Sequence, residues 1–102
     1  MKTLLTQVTI VSESLIKDEL LSVVRRHGAS GYTLSRVEGE GSRSTRAHEI
    51  ERHNVRIETI VSPQTADAIL GELAERYFED FAVIAWLTEV NVLRGEKFVS
   101  EE

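Results

Sequence analysis

Twice along this chain a run of alternating apolar and polar residues gives way to a stripe at helical spacing, and each time a further strand-like run follows. The first run is "TLLTQVTIV", Thr3 to Val11, with threonine and β-branched residues abundant. This period of two marks a strand with one face buried. Ser12 or Ser14 then offers a cap, and Ile16, Leu20, Val23, Val24 and His27 fall on one helical face from about Glu13 to His27. Gly28 follows, where a helix commonly ends in a left-handed residue. "YTLSRVE" alternates again and predicts strand 2. "VRIETIV", Val55 to Val61, predicts strand 3, with Val55, Ile57, Thr59 and Val61 on one face. Ser62 followed by Pro63 is a strong helix start. Ala66, Ile69, Leu70, Leu73, Ala74 and Tyr77 supply the stripe of helix 2. "FAVIAWL", Phe81 to Leu87, is apolar on both faces and predicts a buried strand 4, with "EVNVLRG" as a last strand or extended tail. The order β-α-β-β-α-β predicts a single α+β domain over residues 1–102 with the ferredoxin-like, split βαβ pattern.

The join between strands 2 and 3 breaks the economy of this pattern. A hairpin there needs only about two to five residues, yet the chain runs from Gly39 to His53. Loops of that length are functional or disordered more often than not. Its densest piece, "EGEGSRSTR", combines Gly39 and Gly41 with Ser42, Ser44, Thr45, Arg43 and Arg46. Glycines let a ligand approach the main chain closely, and successive N–H groups can form an anion-binding nest. The piece is a candidate cradle for phosphate or for a planar oxyanion such as bicarbonate. On composition alone, a mobile loop that binds nothing small fits better. It lacks the Gly-Lys-Ser/Thr of a P-loop and the complete glycine pattern of a dinucleotide fold. Glu38 and Glu40 oppose an anion unless they turn away or pair with arginine.

The bulk properties remove several function classes. A hydrophobic content of 41% and a charged content of 28% fit a soluble globular domain. No apolar run approaches the ~20 residues of a membrane span, and the start reads as a strand, not a signal peptide. The net charge of -5 disfavours non-specific nucleic-acid binding. Cysteine is absent, which excludes disulfides, thiolate metal sites and cysteine nucleophiles and fits a cytoplasmic protein. His48 and His53 are poorly spaced to share a metal. No nucleophile–base pair or pair of carboxylates is placed for catalysis, so no catalytic residue is assigned and the chain reads as a non-enzyme. Trp86, inside an apolar run, reads as core or subunit interface. Glu58 reads as an exposed strand charge or as a carboxylate organising a pocket between subunits.

Taken together, "GASGYTLSRVEGEGSR", "NVRIETIVSPQTADAILGELAERYF" and "VLRGEKF" resemble the PII signal-transduction superfamily over nearly the whole chain. The Gly39, Gly41, Ser42, Arg43, Arg46 run and "YFEDFA" are most similar to its branch tied to inorganic carbon, the SbtB and carboxysome-associated PII proteins. The resemblance implies a homotrimer with sheets packed toward its centre, and names the long connection the T-loop. It implies adenine nucleotide bound between subunits. Gly31, Tyr32 and Thr33 would lie beside the adenosine. Gly39, Gly41 and Ser42 would wrap ribose and phosphates, with Arg43 and Arg46 as counter-charges. Glu58 and Ile60 would line the base, and Phe81, Ala82 and Val83 would close the pocket. Gly41, Ser42, Arg43 and Arg46 would also take bicarbonate. The implied partner is a bicarbonate transporter or a carboxysome-linked protein.

Departures from the family pattern sharpen the expectation. Nitrogen-sensing relatives grip a triphosphate with a Gly- and Lys-containing segment before strand 4 and with two late arginines. Here the segment is "YFEDFAVIAW", and Asn91 and Leu93 stand at the late positions beside Arg94. AMP, ADP or cyclic AMP is therefore expected over ATP. The tyrosine that some relatives uridylylate and the cysteine-bearing tail of some transport regulators are missing. Two other readings compete. A ferredoxin-like RNA-binding module needs aromatics on strands 2 and 3 for base stacking, where only Tyr32 is present. A trimeric metal-binding protein needs a better ligand set than these histidines.

Overall fold

The computed structural model describes residues 2–39 and 53–98. Its frame is a four-stranded antiparallel sheet in the order β2-β3-β1-β4, formed by β1 (Thr3–Glu13), β2 (Thr33–Val37), β3 (Asn54–Val61) and β4 (Val83–Val92). Two helices, α1 (Lys17–Arg26) and α2 (Pro63–Arg76), cover one face. The α+β, ferredoxin-like expectation is met. β1 is central, paired to β3 from Thr6↔Val61 to Glu13↔Asn54 and to β4 from Thr3↔Val92 to Ser12↔Val83.

The alternation in the sequence decides which side chains meet the helices. Val8 and Ile10 of β1 join Ile57 and Val61 of β3 in one buried cluster. Leu20, Val23 and Val24 of α1 and Ala66, Ile69 and Leu73 of α2 complete it. Each such side chain contributes roughly 1.5–3 kcal/mol on leaving water. In β3, Val55, Ile57, Thr59 and Val61 are all buried and their neighbours half-buried, as the period predicts. Successive strand residues point to opposite faces, so Gln7, Thr9 and Val11 look away from the helices. Thr9 lies opposite both Glu58 and Trp86, and Glu58 lies opposite Thr33. These four form one row across the uncovered face.

The helix ends follow local chemistry at two of the expected places. The Ser62 hydroxyl accepts from the Thr65 N–H at 3.2 Å, and Pro63 occupies the first turn of α2. At the end of α1, Gly28 has a φ of +93°. Its N–H bonds the Arg25 carbonyl at 2.9 Å and the Ala29 N–H bonds the Val24 carbonyl at 3.3 Å. This double closure needs a left-handed residue, which glycine adopts without steric cost.

Four expectations change. First, β1 runs on to Glu13 and α1 starts only at Lys17, after a 3-10 turn at Ser14–Ile16. Neither Ser12 nor Ser14 caps it, because the capping position is Ile16 and no side chain bonds there. Ser12 and Glu13 are instead still paired to β3. Second, Leu21 joins the α1 core and Ala74 of α2 is exposed. Third, strand 4 and the following "EVNV" are one strand. Fourth, that strand is not buried. It pairs with β1 alone, as a sheet edge, and leaves Ile84 60%, Trp86 39% and Leu87 42% exposed.

Candidate functional site

The described residues of the candidate site fall into two groups on opposite sheet edges. Gly31, Tyr32 and Thr33 lead into β2, and Glu58 and Ile60 lie on adjacent β3. Phe81, Ala82 and Val83 lead into β4, at the other edge. With strands ~4.8 Å apart, the two edges are separated by about 14 Å. One protomer does not bring them together. Gly39 follows the end of β2, whereas Gly41, Ser42, Arg43 and Arg46 lie outside the described residues.

The first group is fixed from below and from the side. The buried Thr59 hydroxyl donates to the Gly31 carbonyl at 2.6 Å, which ties the approach to β2 onto β3. Arg25, in the last turn of α1, donates to the Tyr32 phenol at 3.1 Å, and its guanidinium carbon stands 5.5 Å from the ring centroid. Tyr32 is therefore held against α1 while 40% of its surface stays exposed. Glu58 is the centre of a polar network on the uncovered face. Its Oε2 accepts from Arg56 Nε at 3.2 Å and from Gln7 Nε2 at 3.3 Å. The Arg56 guanidinium carbon lies 5.8 Å from the Trp86 ring centroid, so the network reaches across β1 to β4. Glu58 is thus neither a lone strand charge nor a buried one. Trp86 is not part of the protomer core.

The second group is held by a residue that the sequence does not reveal. Glu13, the last residue of β1, donates its N–H to the Ala82 carbonyl at 3.1 Å. Its side-chain Oε2 accepts the Ala82 N–H at 2.8 Å. Phe81 packs toward the core beside Tyr77, with ring centroids 6.1 Å apart, and its N–H bonds the Tyr77 carbonyl at 3.1 Å. The chain before β4 is therefore a defined turn. Arg36 and His53 flank the long connection. Arg36 donates to His53 Nδ1 at 3.0 Å, which joins the two stems at the end of the β2–β3 pairing, where Val37 lies opposite Asn54. Both contacts are tertiary or cross-loop, so no local motif announces them.

The helix layer carries a separate charged cluster. Glu72 accepts from Arg26, from His27 Nε2 at 2.8 Å and from Arg76 at 2.8 Å. The His27 hydrogen bond, with those from the two arginines, outweighs partial burial and holds the Glu72 carboxyl at about 2, well below its usual value of 4.5. A shallow groove of about 340 Å³ lies beside it, lined by Asp18, Glu19, Ser22, Arg26, Arg76 and Tyr77. Its two arginines are the ones bonded to Glu72, so it presents an internal tie between the helices. His27 is the core-edge residue that its place at a helix end suggests. Among the described residues, no group of three or more His, Cys, Asp or Glu side chains could hold a metal ion. No helix there is long and apolar enough to cross a membrane.

Comparison with known proteins agrees with this architecture. A PII-like signalling protein of Thermus thermophilus is 49% identical, with a TM-score of 0.84 over 96% of this chain and 98% of that one. The PII-like protein CPII of Thiomonas intermedia, solved with ADP, AMP and bicarbonate, is 21% identical, with a TM-score of 0.84 over 98% of each chain. CPII solved with ADP and bicarbonate gives 22% identity and a TM-score of 0.83 over 96% of this chain and 97% of that one. The sequence pattern of the family described as nitrogen regulatory protein P-II matches residues 5–97. With nearly its whole length accounted for by that pattern, the chain belongs to the P-II family of regulatory proteins.

Proposed function

We propose that this PII-like protein is a non-enzymatic sensor of adenine nucleotide and bicarbonate that acts as a homotrimer in the cytoplasm. The observation that carries the reading is the division of the candidate site between two sheet edges. A nucleotide that touches both Gly31–Thr33 and Phe81–Val83 needs one edge from each of two copies. In this reading Gly31, Tyr32, Thr33, Glu58 and Ile60 of one copy receive the adenosine. Gly39, Gly41 and Ser42 would wrap its ribose and phosphates with Arg43 and Arg46 as counter-charges, and the Phe81–Val83 turn of another copy would close the pocket. Clefts between subunits are common ligand sites. The Thiomonas protein of the same fold, crystallised with ADP, AMP and bicarbonate, supports this ligand class. Bicarbonate would share the Gly41–Arg46 stretch.

The output is the T-loop. Ligand contacts from Arg43 and Arg46 would select one conformation of the 39–53 segment from its stems at Arg36 and His53. The reader of that state is a bicarbonate transporter or a carboxysome-linked partner, as in the inorganic-carbon branch of the family. AMP, ADP or cyclic AMP is favoured over ATP because neither a lysine before β4 nor arginines at Asn91 and Leu93 meet a third phosphate.

Calorimetric titration of AMP, ADP, cyclic AMP and ATP, each with and without bicarbonate, tests the reading, with sedimentation giving the assembly. Three nucleotide sites per trimer and tighter ADP or AMP binding in bicarbonate are expected. Binding indifferent to bicarbonate removes the carbon-sensing half. A monomer that binds no nucleotide overturns the whole.

A further inference from the structure

We infer that Arg25, at the end of α1, is a positioning residue of the nucleotide site, which fixes the Tyr32 ring before a ligand arrives. The inference rests on the nucleotide reading above, in which Tyr32 receives the adenosine, and deepens it. All the groups involved belong to one protomer, around the approach to β2. Tyr32 sits in the short connection from α1 to β2, between two backbone anchors. On one side the buried Thr59 hydroxyl holds the Gly31 carbonyl at 2.6 Å. On the other, Thr33 is paired opposite Glu58 of β3. The main chain at Tyr32 is therefore set, and the freedom that remains is rotation of an exposed side chain. Arg25 removes it with two contacts of different kinds. Its Nη2 donates to the Tyr32 Oη at 3.1 Å, which fixes where the ring ends. Its guanidinium carbon lies 5.5 Å from the ring centroid, which restrains how the ring turns.

The end of the helix aims Arg25 at this task. The Gly28 N–H bonds the Arg25 carbonyl at 2.9 Å, which closes the last turn of α1 around it. Among the basic residues there, Arg26 and His27 bond Glu72 of α2. Arg25 turns instead to the approach to β2. It is exposed and outside the buried cluster, so its contact with Tyr32 is not a by-product of core packing. Ordering a free side chain on binding weakens affinity by about two- to tenfold, and a ring already held avoids that loss.

Arg25→Met is the informative variant. Methionine matches arginine in helix propensity, so α1 keeps its last turn while the donor and the charge are gone. Affinities of adenosine, AMP and ADP are measured by calorimetry on the full chain, bicarbonate-free, beside the urea midpoint. Binding should weaken about three- to tenfold, equally for the three ligands, while the urea midpoint stays nearly unchanged. The same substitution made in Tyr32→Leu should change affinity less than about twofold, because Arg25 acts through the ring. A loss that grows from adenosine to ADP would make Arg25 a counter-charge to phosphate and overturn the inference. An equal loss in both backgrounds would assign Arg25 to the fold or directly to the ligand, and overturn it too. If Tyr32→Leu binds too weakly to titrate, the ligand series decides alone. If AMP and ADP bind the unsubstituted protein and Arg25→Met changes neither, only the role of Arg25 is lost. If no nucleotide binds the unsubstituted protein, the nucleotide reading fails and this inference fails with it.

Discussion

The two faces of the sheet present opposite solutions to the same strand pattern. On the helix side, Val8, Ile10 and Ile57 are fully buried, and no polar partner is asked of them. On the other side, Gln7, Arg56 and Glu58 bond one another beside a half-exposed Trp86 and a mostly exposed Ile84. The first face is completed by the chain's own helices. The second carries large apolar groups next to a charged network, which fits a surface completed by further copies of the molecule. A residue's burial in one protomer thus measures only the first face's contribution to stability. In the proposed assembly the second face would contribute through contacts between copies, and that contribution would depend on concentration.

The largest expected effect separates the faces directly. Ile10→Ala should cost about 3–4 kcal/mol in urea unfolding, because it empties a site sealed on every side. Ile84→Ala should change unfolding of the protomer little, yet shift sedimentation toward smaller species at micromolar protein. Unchanged sedimentation would break the assignment of this face to assembly. Next in size is Gly95→Ala. Gly95 is buried, and a Cβ added there meets the Thr3 side chain, which lies on the non-helical face of β1. Overpacking of this kind costs roughly 1–3 kcal/mol, so thermal unfolding should show that this end of the second face is closed by the chain itself. An unchanged melting temperature would show that the C-terminal turn moves aside freely.

The smallest effect concerns how the covering helices are tied to each other. The Glu72 carboxyl is held at about 2 by His27, Arg26 and Arg76, below its usual 4.5. A depressed carboxyl stabilises the fold above its unfolded-state value and loses that contribution as it protonates. The tie is therefore complete above about pH 4.5 and is lost as pH falls toward 2. Glu72→Gln should lower stability at neutral pH slightly and flatten the acid limb between those values. Urea midpoints measured across that interval check it. Parallel curves for the two proteins would show that the cluster contributes nothing to holding the helix layer.

Much of this architecture is legible from residue periods. The alternation in "VRIETIV" and the Ser62–Pro63 start of α2 translate directly into burial and capping, because both are local patterns with local consequences. The start of α1 does not. Ser12 and Ser14 look like caps, but continued pairing of β1 carries the strand past Ser12, and pairing is a long-range fact. Strand 4 misleads for another reason. An apolar run states that water is excluded, not which molecule excludes it. In the candidate site, Gly31, Tyr32 and Thr33 are recognisable by resemblance, whereas Glu13 is not. Its partner Ala82 is brought close only by the complete sheet. Arg36 and His53 escape for the same reason, since the loop between their stems has no period to follow.

The place of β1 at the centre of the sheet has a consequence for how the protein is made. It leaves the ribosome before the other three strands, yet its pairing Thr3↔Val92 joins the start of the first strand to the end of the last. Pairings so distant in sequence close late and slow folding. During synthesis, an apolar strand waits with one edge unsatisfied until β3 arrives and the other until β4 is finished. The interval between those events is when the nascent chain is most exposed to pairing with a neighbour on the same messenger.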